Sequence, residues 1–491
     1  MLTRRDFMLS TAAAAAVAAP ITTRAQVNAP AANAPASNQQ QTILRLLRRT
    51  IEVNGKPASI MGIRQPDGTY GLTTTVNTPF RVRVENQLDV PSLIHWHGLT
   101  PPWQQDGVPG VSGPPIAAGG SADYDFPLPF GGTFWMHSHQ GLQEQTLLSA
   151  PLIIHDRRDR NDQQDIVLML YDFSFTPPDQ IFAGLKKKGS TAGAASPASA
   201  AAQPAGMAPM KPMAMSMLGP AKRDLNDVTY DAFLANDRTL ADPEIIKVEP
   251  GGRALLRVIN GSSMSAFHVD LGQLDGELIA VDGIRIAPVT GRRFPIAVAQ
   301  RLDIQLSLPR EPATHPVLAQ LEGERSQTGI ILAAGRADIA RVPDQAAMAS
   351  PPLTLELESR LRAAEPLPSR KVDRTHVLNL TGEMAGYIWS INNVVWTPET
   401  PPLPIAAGER VQLVFVNKTM MSHPMHLHGH PFQVVEIDGQ PLSGAVRDTV
   451  LVPPNARVAV VFDANNPGHW AMHCHLLYHL DAGMFTTLRY I

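Results

Sequence analysis

The run His473-Cys474-His475-Leu476-Leu477-Tyr478-His479-Leu480-Asp481-Ala482-Gly483-Met484 holds the only cysteine of this 491-residue chain. Side chains on a β-strand alternate between faces, so His473 and His475 point one way and Cys474 the other. A single short strand of this composition can serve two metal sites, imidazoles to one side and a thiolate to the other. Reading outward, the same His-x-His spacing returns at His95/His97, His137/His139 and His426/His428. Random placement of 16 histidines in 491 residues gives about half of one such pair. Two pairs lie near the N-terminal end and two near the C-terminal end, so a shared cluster must join distant parts of the chain.

The run His423-Pro424-Met425-His426-Leu427-His428-Gly429 repeats the division of faces. His426 and His428 share parity, and His423 has the other, which makes it a partner for Cys474. His479 adds an imidazole and Met484 a thioether. Two His, one Cys thiolate and a weak axial Met are the ligand set of an electron-transfer copper centre. Eight histidines remain for a polynuclear cluster: His95, His97, His137, His139, His426, His428, His473 and His475. Zinc prefers three or four ligands around one ion and does no redox chemistry. A di-iron site wants carboxylates, and these motifs contain none. His155, His268, His315, His376, His430 and His469 read as ordinary structural or surface residues.

The four segments, taken in order, resemble the signatures of the multicopper oxidase family: laccases, bacterial cuprous oxidases and copper-resistance oxidases. The likeness spans nearly the whole mature chain, although its middle third carries no ligands. The resemblance implies four copper ions. Type 1 is held by His423, Cys474 and His479 with Met484 axial, and type 2 by His95 and His426. One type 3 copper takes His97, His137 and His475, and the other His139, His428 and His473. It further implies that electrons taken at type 1 pass through Cys474 to His473 and His475, and that O₂ is reduced there to water. Asp106 matches the family's acid on the path to type 2, where four-proton chemistry needs a relay; its bland reading is a turn Asp before Gly107. Some members carry Glu directly after the last type 1 His. Leu480 stands there, with Asp481 next.

Short apolar segments between Gly, Pro and Asn turns read as all-β. Phe80–Glu85, Ala254–Ile259 and Arg410–Val416 each follow a turn, alternate, and run into Asn86, Asn260 and Asn417. This recurrence predicts three homologous β-sandwich domains, over about 41–160, 161–347 and 348–491, which the resemblance implies are cupredoxin-like Greek-key sandwiches. The cluster then belongs at the interface of the first and third. Thr3-Arg4-Arg5-Asp6-Phe7 followed by an Ala-rich run resembles a twin-arginine export signal, with cleavage near Ala25. The apolar run is too short to span a membrane. A periplasmic monomer is expected, exported by the twin-arginine machinery, with residues 26–40 disordered. The net charge of −3 gives no electrostatic case for nucleic acid or an anionic membrane.

Residues 186–222 are low-complexity and contain Met207, Met210, Met213, Met215 and Met217. Thioethers select Cu(I), so the segment reads either as a recruiting arm or as a linker that happens to contain Met. Met421, two residues before His423, matches a substrate-copper methionine of the family's cuprous oxidases. Thr419 stands where those enzymes have a carboxylate, and packing is an equal reading of Met421. The functional expectation is oxidation of Cu(I), or of phenols and aromatic amines, by O₂ in periplasmic copper tolerance. The alternatives are a laccase with an organic substrate and a copper-sequestering protein.

Overall fold

Each of the three recurrent segments forms the same strand in the same surroundings. The computed structural model describes residues 41–156, 162–192, 224–336 and 338–491. Phe80–Asn86 runs parallel to Thr42–Val53 and antiparallel to Ser121–Phe126. Arg253–Asn260 likewise runs parallel to Gln164–Phe173 and antiparallel to Arg301–Ser307. Arg410–Asn417 runs parallel to Arg374–Glu383 and antiparallel to Arg457–Asp463.

The terminal asparagines explain why the pattern ends alike. Asn86 Oδ1 accepts the backbone N–H of Leu88, Asn260 Oδ1 that of Ser262, and Asn417 Oδ1 that of Thr419. Their Nδ2 groups donate to carbonyls of the following loop, at Val90, Ser265 and Met421. A buried loop needs such partners for its backbone groups, and one Asn supplies several.

Among the described residues six sheets result, two for each stretch of sequence. Their strands run from Thr42 to His155, from Gln164 to Ala334, and from Arg374 to Tyr490. In Phe80–Asn86 burial alternates strictly, as a half-covered strand should. Arg253–Asn260 departs from that expectation, because every residue after Arg253 is buried. Its outer face is covered by the first sheet pair: Arg257 donates to Thr133 Oγ1 at 3.1 Å.

The ligand strands lie in one sheet of the first pair and one of the third. Ile94–His97 runs antiparallel to Gly132–Ser138, setting His95 opposite His137. His423–Leu427 runs antiparallel to His469–Cys474, setting His426 opposite His473 and Met425 opposite Cys474. Pro424 sits inside the strand without breaking it. His479 lies on the short helix Leu477–Asp481.

A 15-residue helix, Pro178–Ala192, enters the stretch read from the sequence as low-complexity from Lys186. Leu185 is buried against the same apolar cluster as Cys474, and this tertiary anchor outweighs the weak local composition. The five methionines Met207, Met210, Met213, Met215 and Met217, and residues 1–40 with the export signal, lie outside the described residues.

Candidate metal centre

His423, Cys474 and His479 converge with their ligand atoms within 4.8 Å of one another. Cys474 Sγ lies 3.6 Å from His423 Nδ1 and 3.9 Å from His479 Nδ1, and the two Nδ1 atoms are 3.3 Å apart. All three residues are fully buried. Each imidazole is held by its far nitrogen: His423 Nε2 donates to Thr419 Oγ1 at 2.7 Å and His479 Nε2 to Asp227 Oδ2 at 3.0 Å. These bonds fix the tautomer that leaves both Nδ1 lone pairs facing the thiol. Trp389 stacks on His479 at 3.8 Å between centroids. Met484 is buried beside them, its carbonyl accepting the Cys474 N–H and its N–H donating to His479. Burial pushes the Cys474 thiol up, so a thiolate here requires a cation in contact.

The other eight histidines pack into one buried cluster, with only His139 partly exposed. His139, His428 and His473 form one close set, and His473 Nε2 lies 3.0 Å from His428 Nε2 and 3.3 Å from His139 Nε2. The rings of His97, His137 and His475 form another, with centroids 5.1–5.6 Å apart. His95 and His426 face each other at 5.7 Å. His95 Nε2, His97 Nδ1, His137 Nε2, His426 Nε2 and His475 Nε2 are buried with no hydrogen-bond partner. Orphaned buried nitrogens of this number are a heavy cost in a native fold, and facing imidazole lone pairs repel. Cations between them remove both costs, so the donor set fits metal ions.

Three carboxylates surround the cluster, each facing one histidine of the first sheet pair and one of the third. Asp106 Oδ2 accepts from His428 Nδ1 at 2.8 Å, and Oδ1 lies 3.2 Å from His95 Nδ1, which itself donates to the Asp106 carbonyl at 2.8 Å. Asp448 Oδ1 is 3.1 Å from His97 Nε2 and 3.5 Å from His426 Nδ1. Glu144 Oε2 lies 2.8 Å from His137 Nδ1, which donates to the Ser138 carbonyl at 3.1 Å, and Oε1 approaches His475 Nδ1 at 3.9 Å. Burial raises Asp448, but Arg301 and His97 outweigh it and hold the carboxyl well below its ordinary range. Burial, and next the Asp172 carboxylate, hold Glu144 well above that range.

Of these carboxylates only Asp106 was marked by a motif. Asp448 follows Arg447 at the head of the strand Thr449–Val452, and Glu144 stands five residues after His139. Asp227 lies 252 residues from the histidine it binds. Met421 is 2% exposed and packs in the apolar cluster with Met425, Cys474 and Met484. Asp481 lies with Glu144, His137, His139, His473 and His475 around a cavity of about 300 Å³ that opens onto the cluster.

Burial, and next the neighbouring imidazoles, hold His97, His137, His139, His428, His473 and His475 well below the usual imidazole range. Burial also lowers His426, against the pull of Asp448. In the metal-free protein the unfolded chain therefore binds more protons than the folded one below pH about 6.5. Stability must fall as pH drops through that value, by up to about 1.4 kcal/mol per pH unit for each such histidine. The melting temperature of metal-free protein is expected to fall steeply between pH 7 and pH 5. A flat profile over that window would contradict the neutral cluster.

Sequence models described as multicopper oxidase match residues 49–159, 190–336 and 369–490. The chain is 31% identical over 442 residues to Multicopper oxidase MmcO of Mycobacterium tuberculosis, covering 86% of this chain and 83% of that protein. It is 28% identical over 504 residues to a copper resistance protein A homolog of Pseudomonas syringae pv. tomato, covering 83% and 85%. Its fold is similar to the crystal structure of Fet3p, a multicopper oxidase that functions in iron import, with TM-score 0.76 at 18% identity, over 91% of this chain and 90% of that one. The three sheet pairs and this likeness agree on the all-β, cupredoxin-like architecture.

Proposed function

The chain belongs to the multicopper oxidase family, and from that premise we propose that it oxidises Cu(I) with O₂ in periplasmic copper tolerance. It is a copper-dependent oxidoreductase. When bound, the copper set supplies one-electron oxidation at one end and four-electron reduction of O₂ to water at the other. The residues that would hold it are His423, Cys474, His479 and Met484 for type 1, and His95 and His426 for type 2. His97, His137 and His475 would hold one type 3 ion, and His139, His428 and His473 the other. The chain falls into three domains in this reading, near 41–160, 161–347 and 348–491, with the cluster between the first and third.

One observation carries the reading. Cys474 belongs to the mononuclear site while its neighbours His473 and His475 belong to the cluster, so a few covalent bonds join two otherwise separate centres. A simple electron carrier needs only the first. Proton handling falls to Asp106: because His95 donates to the Asp106 carbonyl, Oδ1 is left without a hydrogen bond and is placed to take up and release a proton.

Cu(I) is favoured over a bulky donor by the burial of His479 beneath Trp389 and Tyr387. The atom set against its outer nitrogen is the carboxylate of Asp227, which also accepts from Tyr387 Oη at 2.6 Å. A carboxylate suits a cation. It also suits the hydroxyl of a phenol, which keeps laccase activity as the second reading. Met207, Met210, Met213, Met215 and Met217 stand in sequence between the helix Pro178–Ala192 and Asp227, as an arm feeding Cu(I) to that carboxylate would.

O₂ uptake with a Cu(I) chelate and with a dimethoxyphenol, measured side by side on copper-loaded protein, tests the choice. Cu(I) is expected to be the faster donor, and replacing the five methionines by leucine should slow Cu(I) oxidation and spare the phenol. Faster uptake with the phenol would make the protein a laccase. No uptake with either would point to sequestration.

A further inference from the structure

The middle sheet pair supplies none of the histidines of the cluster, yet one of its arginines reaches the site. Arg301 is fully buried, and all five of its N–H donors are used. Nη1 donates to Asp448 Oδ1 at 2.8 Å and Nη2 to Asp448 Oδ2 at 2.5 Å, a two-pronged grip. The remaining donors go to the carbonyls of Thr133, Ala299 and Asp282. The fork therefore has one orientation open to it, and so has the carboxylate it grips.

Asp448 passes that orientation on. Its Oδ1 accepts from His97 Nε2 at 3.1 Å and from Thr449 Oγ1 at 2.8 Å. With Nε2 carrying the proton, His97 has its lone pair on Nδ1, which is buried without a partner and lies in the close set with His95 and His137. Of the five imidazoles with an unpartnered nitrogen, His97 presents Nδ1 and keeps Nε2 bonded, His95, His137 and His426 present Nε2, and His475 has neither nitrogen bonded. Both Asp448 oxygens are taken by Arg301, which argues against Asp448 serving as a ligand itself. Gly98 shows how closely the pair is fitted. At φ +89°, a Cβ on it would stand 2.5 Å from Arg301 Nη2 and 2.8 Å from Asp448 Oδ2. The glycine following His97 is thus required by an arginine more than 200 residues away.

The arginine is also held from behind. Its backbone N–H donates to Asp282 Oδ1 at 2.9 Å, and Asp282 Oδ2 accepts from Arg447 Nε at 2.9 Å. Arg447 in turn binds Glu358. Charges alternate along this buried chain from Asp448 to Glu358, so no member is left unpaired.

We propose that Arg301 is a positioning residue for the histidine cluster, acting through Asp448 to present His97 Nδ1 as a ligand atom. The proposal rests on the copper-cluster reading above. The test compares Arg301→Met, Arg301→Lys and the double variant Arg301→Met/Asp448→Leu with the parent protein. Copper per chain, the thiolate-to-copper absorption of the mononuclear site and the resonance spectrum of the cluster copper are read on each. Arg301→Met leaves a buried carboxylate unpaired and risks misfolding, whereas the double variant removes the pair whole. The expected result is a cluster that binds copper about 10–100-fold more weakly, as for other outer partners of metal ligands. The mononuclear absorption stays unchanged. Lysine should rescue little, because it restores the charge without the fork. Full cluster copper with the parent spectrum in the double variant would overturn the proposal. So would parallel loss of copper from both sites, which marks a merely structural residue. A parent protein that binds mononuclear copper alone would instead overturn the cluster reading.

Discussion

Cys474→Ser is expected to abolish oxidation of every donor while leaving the fold and the histidine cluster in place. Cys474 is fully buried and its Sγ is the only soft anion within reach of His423 and His479. Serine is close in size, so the strand His469–Cys474 keeps its register with His423–Leu427. A hydroxyl does not replace a thiolate at a copper site. The loss should exceed the roughly 100-fold seen when outer partners of metal ligands are removed, and the intense thiolate-to-copper absorption should vanish with it. Copper at the cluster should remain, because His473 and His475 point away from residue 474. Copper analysis and oxidase assay on one preparation check both halves. Retention of activity would mean that electrons reach the cluster by another route.

Asp106→Ala is expected to separate the two ends of the reaction. The carboxylate touches no residue of the mononuclear site. It binds His428 Nδ1 and lies against His95 Nδ1, one histidine from each ligand-bearing sheet. Removing it frees one ring and takes away the proton-holding oxygen, and a loss of about 10–100-fold in turnover is expected. The mononuclear copper should still be reduced by substrate at the parent rate, and its reoxidation by O₂ should be slow. Stopped-flow absorption at the mononuclear site resolves the two phases. Slowed reduction with normal reoxidation would move Asp106 out of the cluster's chemistry. Asp106→Asn keeps an acceptor for His428, so a milder defect in copper content with the same slow reoxidation would isolate the proton role.

What could be read in the chain follows from how local its signals are. The ligand histidines are legible because a strand places residues two apart on one face, and four such pairs occur. The three segments ending in Asn86, Asn260 and Asn417 are legible for a similar reason: one amide does the same local work at each strand end. The supporting groups were not legible. Asp448 meets His97 across 351 residues, and Asp227 meets His479 across 252. An isolated Asp in a sequence has no period to betray it. Arg301 belongs to no motif, and only the buried carboxylate beside it explains its place. Arg253–Asn260 carried a half-exposed pattern that the neighbouring sheet pair overrode. The helix Pro178–Ala192 has little local signal, because its anchors, Phe182 and Leu185, lie in a stretch that runs into low-complexity sequence.

In the proposed reading, one cysteine joins an electron-accepting site to a cluster that reduces O₂ completely. The ratio of Cu(I) oxidised to O₂ consumed, by protein of measured copper content and with peroxide assayed in the same vessel, tests this. Four Cu(I) per O₂ are expected, as four-electron reduction to water requires, with no peroxide released and about four coppers per chain, the number the twelve candidate ligands would hold. Two Cu(I) per O₂ with peroxide accumulating would contradict it, because the cluster would then be absent or disconnected from Cys474.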